Sequence, residues 1–400
     1  MALEDQYGAH IYHQLPVVLS RGQGPFLFDI NERRYFDFLS AYSAVSQGHC
    51  HPHIIGALVQ QAQRLTLGSR AFYSDQLGEA EQQVCELLGY DKVLLMNSGA
   101  EAVETALKLA RKWAYQRKGI AANQARIVVA ERNFHGRTTG VISFSTDLPS
   151  TQDFGPLTPG YVAIPYNDLD RLAAALQDPN VCGFLVEPIQ GEAGVVVPSV
   201  GYLANAAELC RQHNVLLLAD EIQTGLGRTG KLLACQHENV KPDILILGKA
   251  LSGGVLPISA VLADDAIMLA LQPGQHGSTF GGNALASVVM RAALDVLVNE
   301  DLAGNAARLG EVFRARMRQA QARRPDVVGL VRGKGLLNAV QVKPAADGRA
   351  AWEFCVSLME RGLLAKPTHD NVVRFAPPLV IPENQLHEAC DLIDEVIDAF

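Results

Sequence analysis

No disulfide spacing is visible in this chain of 400 residues. The seven, at positions 50, 85, 182, 210, 235, 355 and 390, are scattered, odd in number and never spaced as CxxC. That argues against a disulfide framework and fits reduced thiols in a cytoplasmic protein. Basic charge is also short: 34 Lys and Arg stand against 42 Asp and Glu, a net charge of −8. Neither nucleic acid nor an anionic membrane is then the expected partner. No apolar run approaches the length of a membrane span. The segment Met1–Tyr7 carries two acids and no basic n-region, so neither a secretory signal nor an Arg-rich transit peptide is visible. Internal repeats and low-complexity linkers are missing too. What is present is 48% hydrophobic residues against 19% charged, enough to bury a large core, over a length that suits two or three domains.

One stretch stands out. In Asp243-Ile-Leu-Ile-Leu-Gly-Lys-Ala-Leu251 the run Ile244–Leu247 reads as a buried strand, and Lys249 follows it among small residues. A lysine there either snorkels to solvent or loses its proton easily enough to act as a nucleophile. Four more runs read as strands: 92–96, 126–130, 181–186 and 215–219. Helical spacing fills 100–118, 169–176 and 202–213. Strands alternating with helices predict an α/β fold with a mostly parallel sheet covered on both faces. Residues 24–39 read as a hairpin around Asn31 and Glu32. Beyond residue 290 come one long helical region over 290–323, strands at 327–331, 336–342 and 372–375, and helices over 350–361 and to Phe400. The expected organisation is an N-terminal segment 1–46 joining a smaller α+β domain 291–400, with a large domain over 47–290.

Two motifs mislead. Gly48-His-Cys-His-Pro-His53 looks like a metal cluster, yet Pro52 suits a first helical position and the three histidines are packed too tightly to face one ion. No metal site is expected. Gly225-Leu-Gly-Arg-Thr-Gly230 spells the dinucleotide fingerprint. It does not directly follow its strand and opens no long amphipathic helix.

In an open α/β sheet, catalytic groups belong at the carboxyl ends of the strands. After residue 96 comes Asn97-Ser98-Gly99-Ala100, whose amides and helix dipole suit an anion. After 130 comes Phe134-His135-Gly136-Arg137, suited to a planar ring and a carboxylate. Glu187 and Glu192 follow 186. Asp220 ends the run 215–219 and needs a cationic partner there. A phosphate cradle, a stacking ring, a carboxylate and a lysine are what pyridoxal 5'-phosphate requires.

Asn97-Ser-Gly-Ala-Glu-Ala, Ala219-Asp-Glu-Ile-Gln-Thr-Gly-Leu-Gly-Arg-Thr-Gly230 and Gly248-Lys-Ala-Leu-Ser-Gly-Gly254 resemble the class III, fold-type I pyridoxal-phosphate aminotransferases. Tyr42-Ser-Ala-Val-Ser-Gln-Gly-His-Cys-His-Pro52, Glu187-Pro-Ile-Gln-Gly-Glu-Ala-Gly194, Gly362-Leu-Leu-Ala-Lys-Pro-Thr-His369 and Arg374-Phe-Ala-Pro-Pro-Leu379 resemble the members that act on ornithine, and the likeness covers nearly the whole chain. That resemblance implies a large domain with a seven-stranded-type sheet sandwiched by helices and a smaller domain from both termini. It implies that Lys249 bonds the cofactor and then carries the proton. Asp220 pairs with the pyridinium nitrogen, and Gln223 hydrogen-bonds the ring hydroxyl oxygen. Ile222 and Phe134 take the two faces of the ring. Ser98, Gly99 and Ala100 hold the phosphate, and Ser278 with Thr279 reaches the phosphate of a neighbouring subunit in a homodimer with shared sites.

For substrate, the resemblance implies that Arg137 takes the α-carboxylate and that Tyr12 and Tyr42 present the δ-amine of L-ornithine. Glu192 and Arg374 form a switching pair that opens for 2-oxoglutarate. The product would feed proline biosynthesis or arginine metabolism. His135 receives no role beyond a contact with the cofactor or an oxyanion. Other ω-amines (N-acetylornithine, 4-aminobutyrate, lysine), a non-catalytic binding protein and a dehydrogenase using the glycine motif are the competing readings.

Overall fold

The computed structural model describes residues 1–343, 349–368 and 371–400. His369, which ends one of the motifs above, lies outside the described residues. Three N-terminal strands, β1 (Leu19–Gln23), β2 (Phe26–Asp29) and β3 (Arg34–Asp37), form an antiparallel meander. Its rings Phe26 and Phe36 pack in series with the adjoining Phe38, which meets Phe313 and Phe375 of the C-terminal third.

Seven strands then build the main sheet: β4 (Lys92–Met96), β5 (Arg126–Ala130), β6 (Tyr161–Ile164), β7 (Val181–Val186), β8 (Leu216–Asp220), β9 (Ile244–Leu247) and β10 (Ser259–Ala263). Their spatial order is β4-β10-β9-β8-β7-β5-β6. All neighbours run parallel except β10, which is antiparallel to both β4 and β9. Residues of β7, β8, β9 and β10 are buried throughout, as strands covered on both faces must be. Because β5, β7, β8 and β9 are parallel neighbours, their carboxyl ends open on one side, and that side carries the site.

The C-terminal strands are β11 (Val328–Lys334), β12 (Leu337–Val342), β13 (Leu363–Leu364), β14 (Lys366–Pro367) and β15 (Val372–Phe375). β11-β12-β15-β14 make an antiparallel sheet, while β13 pairs parallel with β3 of the N-terminal meander. Both ends of the chain thus share one sheet.

Several expectations shift. The strand expected at 215–219 runs Leu216–Asp220, so Asp220 is itself the last strand residue, opposite Ile246. The single helix expected over 290–323 is two, Ala284–Asn299 and Leu302–Arg323. Asp301 splits them: it adopts φ 47° and its carboxylate caps the second helix by accepting from the Gly304 amide. The helix expected over 100–118 runs Gly99–Trp113 and closes in a π-turn. Strands β6 and β10 and the helix Leu77–Leu88 are additional to the expected elements. Pro52 does open a helix, Pro52–Ala62, as its fixed φ favours. The neighbouring histidines find separate carboxylates: His49 meets Asp37, His51 Glu300 and His53 Asp295.

The glycine-rich loop packs on protein. A Cβ on Gly230 would lie 2.9 Å from Ala307 Cα, and one on Gly225 2.7 Å from the Glu221 carbonyl. Arg228, fully buried, donates to the carbonyls of Leu336 and Pro377 and to Ser46 Oγ. The loop thereby ties the main sheet to both terminal regions.

Candidate active site

The loop after β4 starts the helix Gly99–Trp113 with a capping box. Ser98 Oγ accepts from the Glu101 amide at 3.2 Å, and Glu101 accepts from the Ser98 amide at 2.8 Å. Among the described residues nothing accepts from the amides of Gly99 and Ala100. They face outward at the positive end of a long helix, which is an anion cradle. Gly99 is closely packed: a Cβ there would lie 3.0 Å from Ile222 Cδ1, so the isoleucine would have to give way.

Ile222 also packs on Gly248, where a Cβ would be 3.3 Å from its Cγ2. One isoleucine therefore bridges the anion cradle and the lysine loop. Lys249 adopts φ 43°, an uncommon region for a side-chain-bearing residue and a form of strain found at functional sites. A cleft of about 320 Å³ is lined by Asn97, Ser98, Gly99, Lys249 and Ser252. Burial lowers the Lys249 pKa first; Arg374 lowers it further, while Glu192, Asp220 and Glu187 pull the other way.

The carboxyl ends of β5, β7 and β8 converge on Asp220. Its Oδ2 lies 2.6 Å from His135 Nδ1, and its Oδ1 accepts from the Ile222 amide at 3.0 Å. His135, expected to do no more than contact the cofactor or an oxyanion, is the partner the strand-end aspartate needed. Burial alone would lower the imidazole pKa; the hydrogen bond to Asp220 and the charges of Asp220 and Glu187 hold it above its ordinary value. The two loops fit because Gly136, at φ 128°, lets Ala100 approach: a Cβ there would sit 2.8 Å from Ala100 Cβ. Glu187 accepts from the Phe134 amide at 3.1 Å, and burial raises its carboxyl to about 7 despite the pull of His135.

Toward the terminal regions, Arg374 of β15 donates through one Nη1 to Glu192 at 2.5 Å and to Gln223 Oε1 at 3.2 Å, while Gln223 Nε2 donates to Glu192 at 2.9 Å. Burial alone would raise the Glu192 carboxyl. Arg374, then Lys249, then the hydrogen bonds outweigh it and hold the group at about 2. Gln223, expected at the ring hydroxyl, is here engaged by this pair. Gly191 makes room for it: a Cβ would fall 1.7 Å from Gln223 Oε1.

Tyr42 lies under Arg374, whose Cζ is 5.2 Å from its ring centre. Tyr12 is largely exposed and meets the ammonium of Lys366 at 5.3 Å. Arg137 is also exposed; it donates to Ser150 Oγ at 2.9 Å and covers Phe134 at 5.5 Å. Ser278 accepts from Asn97 at 2.9 Å, beside the anion cradle, and Thr279 is exposed. Ile222 links Asp220, the cradle and the lysine loop, Phe134 is held by Glu187 beside His135, and Glu192, Gln223, Arg374 and Tyr42 form a second connected group. Arg137 and Tyr12 stand at the rim.

The family description "Aminotransferase class-III" matches residues 7–397. The chain belongs to the class-III aminotransferases. The aminotransferase is 58% identical over 396 residues to the mitochondrial ornithine aminotransferase of Drosophila melanogaster, covering 99% of this chain and 90% of that protein. A Toxoplasma gondii ornithine aminotransferase, whose structure holds pyridoxal phosphate at partial occupancy in its active site, superposes with a TM-score of 0.97 at 50% identity, covering 100% of this chain and 93% of the other. An acetylornithine aminotransferase from Elizabethkingia anophelis superposes at 0.93 with 58% identity, covering 100% and 98%.

The class-III aminotransferase uses pyridoxal 5'-phosphate, and the residues present fit it. Two free amides suit the phosphate, a buried lysine of lowered pKa suits the aldehyde, and Asp220, braced by His135, suits a ring nitrogen that must stay protonated. Lys249, Asp220, Ile222 and Phe134, with the amides of Gly99 and Ala100, would hold the cofactor.

Proposed function

We propose that this aminotransferase moves the δ-amino group of L-ornithine to 2-oxoglutarate, giving glutamate-5-semialdehyde, which cyclises to pyrroline-5-carboxylate, and glutamate. The observation that carries the reading is the Glu192–Arg374 pair. A buried guanidinium masked by a carboxylate leaves no anchor for an α-carboxylate next to Lys249, so an amino acid is better accommodated by its far amine. Once Glu192 swings away, Arg374 offers a bidentate site for the α-carboxylate of the oxo acid.

Pyridoxal phosphate, when bound, supplies an aldehyde for the amine and a ring that accepts the electron pair released at carbon. The chain's own groups do the rest. Lys249 Nζ would take a proton from the amine-bearing carbon of ornithine and pass it on within the first half-reaction, and would deliver one to the α-carbon of the oxo acid in the second, a role its lowered pKa suits. Asp220 holds a proton on its ring-nitrogen partner, and His135 fixes the carboxylate in place. Arg137, at the rim, takes the distal carboxylate. Ser278 and Thr279 serve a second subunit in a homodimer. This is supported by the adjoining exposed aromatics Phe72, Tyr73 and Phe280, linked by the Arg70–Gly281 contact. We place the enzyme in the cytoplasm, because all seven cysteines are free, although the Drosophila relative is named as mitochondrial. We also propose the division at 46/47 and 290/291, the second boundary falling within the helix Ala284–Asn299.

Acetylornithine is the second reading, since the Elizabethkingia protein is as similar in sequence as the Drosophila one. Steady-state kcat/KM on ornithine and N-acetylornithine separates them: ornithine should be preferred, and preference for the acetylated amine would overturn the assignment.

A further inference from the structure

We propose that Lys366 is a positioning residue that sets the Tyr42 hydroxyl as a hydrogen-bond donor toward the carboxylate of the dicarboxylic oxo acid. The identity of that oxo acid rests on the function proposed above. Lys366 faces Arg374 directly across the antiparallel β14–β15 pair, so both side chains lie on one face. Like charges placed opposite one another are unfavourable, and Glu192 relieves only Arg374. Among the described residues Lys366 has no carboxylate partner. Its Nζ instead donates to Tyr42 Oη at 3.1 Å and stands 5.3 Å and 5.8 Å from the ring centres of Tyr12 and Tyr42. The Tyr42 ring is therefore touched by both cations.

An ammonium can only donate, so the Tyr42 oxygen accepts from it and the phenolic proton must turn elsewhere. A hydroxyl that accepts from one ammonium, on a ring whose face a guanidinium covers, welcomes a carboxylate and repels a further ammonium. The ring itself is placed at some cost. Ser40, Ala41, Tyr42 and Ser43 all have positive φ, a left-handed turn that side-chain-bearing residues rarely adopt. Asp37 holds that turn by accepting from the amides of Leu39 and Ser40, and Ser40 Oγ donates to the Ala376 carbonyl. A strained backbone fixing one tyrosine points to function. Lys366 supplies what the backbone cannot, the direction of the hydroxyl.

The test is a double-mutant cycle on the cofactor-loaded enzyme. Calorimetry measures the Kd of glutarate, an unreactive dicarboxylate, and kinetics measures KM and kcat for 2-oxoglutarate. Lys366→Met should raise the glutarate Kd and the KM by about tenfold, more than it lowers kcat, and Lys366→Arg, which keeps a donor, should stay within about threefold. In a Tyr42→Phe background Lys366→Met should add nothing. Equal losses in both backgrounds, or an arginine variant as weak as the methionine one, would overturn the proposal. If ornithine is not turned over but the glutarate cycle is coupled, the substrate reading fails and this one stands. If ornithine is turned over and the cycle is additive, this one fails alone.

Discussion

His135 Nδ1 lies 2.6 Å from Asp220 Oδ2, and both side chains are sealed from solvent. A carboxylate only accepts, so Nδ1 carries the proton. The other ring nitrogen, Nε2, is buried and has no hydrogen-bond partner among the described residues. Together with Glu187, whose oxygen meets the amide of Phe134, these groups make a proton-rich pocket beneath the site.

That pocket predicts a pH dependence of stability. Folding raises Glu187 from 4.5 to about 7 and raises His135 above 6.5. Both groups bind protons more tightly when folded. Their contribution is full below the unfolded values and is lost as pH climbs, for Glu187 between about 4.5 and about 7. The Tm should fall over this window, and Glu187→Gln should remove up to about 3 kcal/mol of that pH-dependent loss. An unchanged Tm–pH curve in the variant would contradict the assignment.

Lys249→Ala should abolish covalent attachment of the cofactor. After borohydride reduction, mass spectrometry should find no pyridoxyl adduct on the chain, and kcat should fall by at least roughly 10²–10⁴-fold through loss of the proton carrier.

Glu192→Gln removes the charge that masks Arg374 while keeping an acceptor for it. The guanidinium then becomes available to α-carboxylates throughout. The ratio of kcat/KM for glutamate to that for ornithine should rise by about tenfold, read from steady-state kinetics of the two half-reactions. A ratio that stays put would remove the masking role.

Arg228→Met leaves the carbonyls of Leu336 and Pro377 and the Ser46 hydroxyl without their buried donor. Urea unfolding should show a loss of about 3 kcal/mol, since a buried acceptor stripped of its partner bears its full desolvation cost. Nicotinamide dinucleotides should bind neither form, as the loop's glycines face protein.

The sequence by itself determined the α/β alternation, because the apolar runs that make a doubly covered strand are written within four to six neighbouring residues, as at Ile244–Leu247 and Val181–Val186. It also marked Lys249 and Asp220, since a charge that ends such a run is conspicuous locally. Tertiary structure alone decided what those charges meet. His135 reaches Asp220 across 85 positions and Lys366 reaches Tyr42 across 324, whereas the Arg374–Glu192 contact across 182 was already implied by the family resemblance. It also set the antiparallel β10 between β4 and β9, and it cut one expected helix in two at Asp301. Propensity and periodicity act over one or two turns. The partner of a buried charge is chosen by where loops land once the sheet has packed, and glycines at 99, 136 and 191, each too close to a neighbour for a Cβ, record those landings.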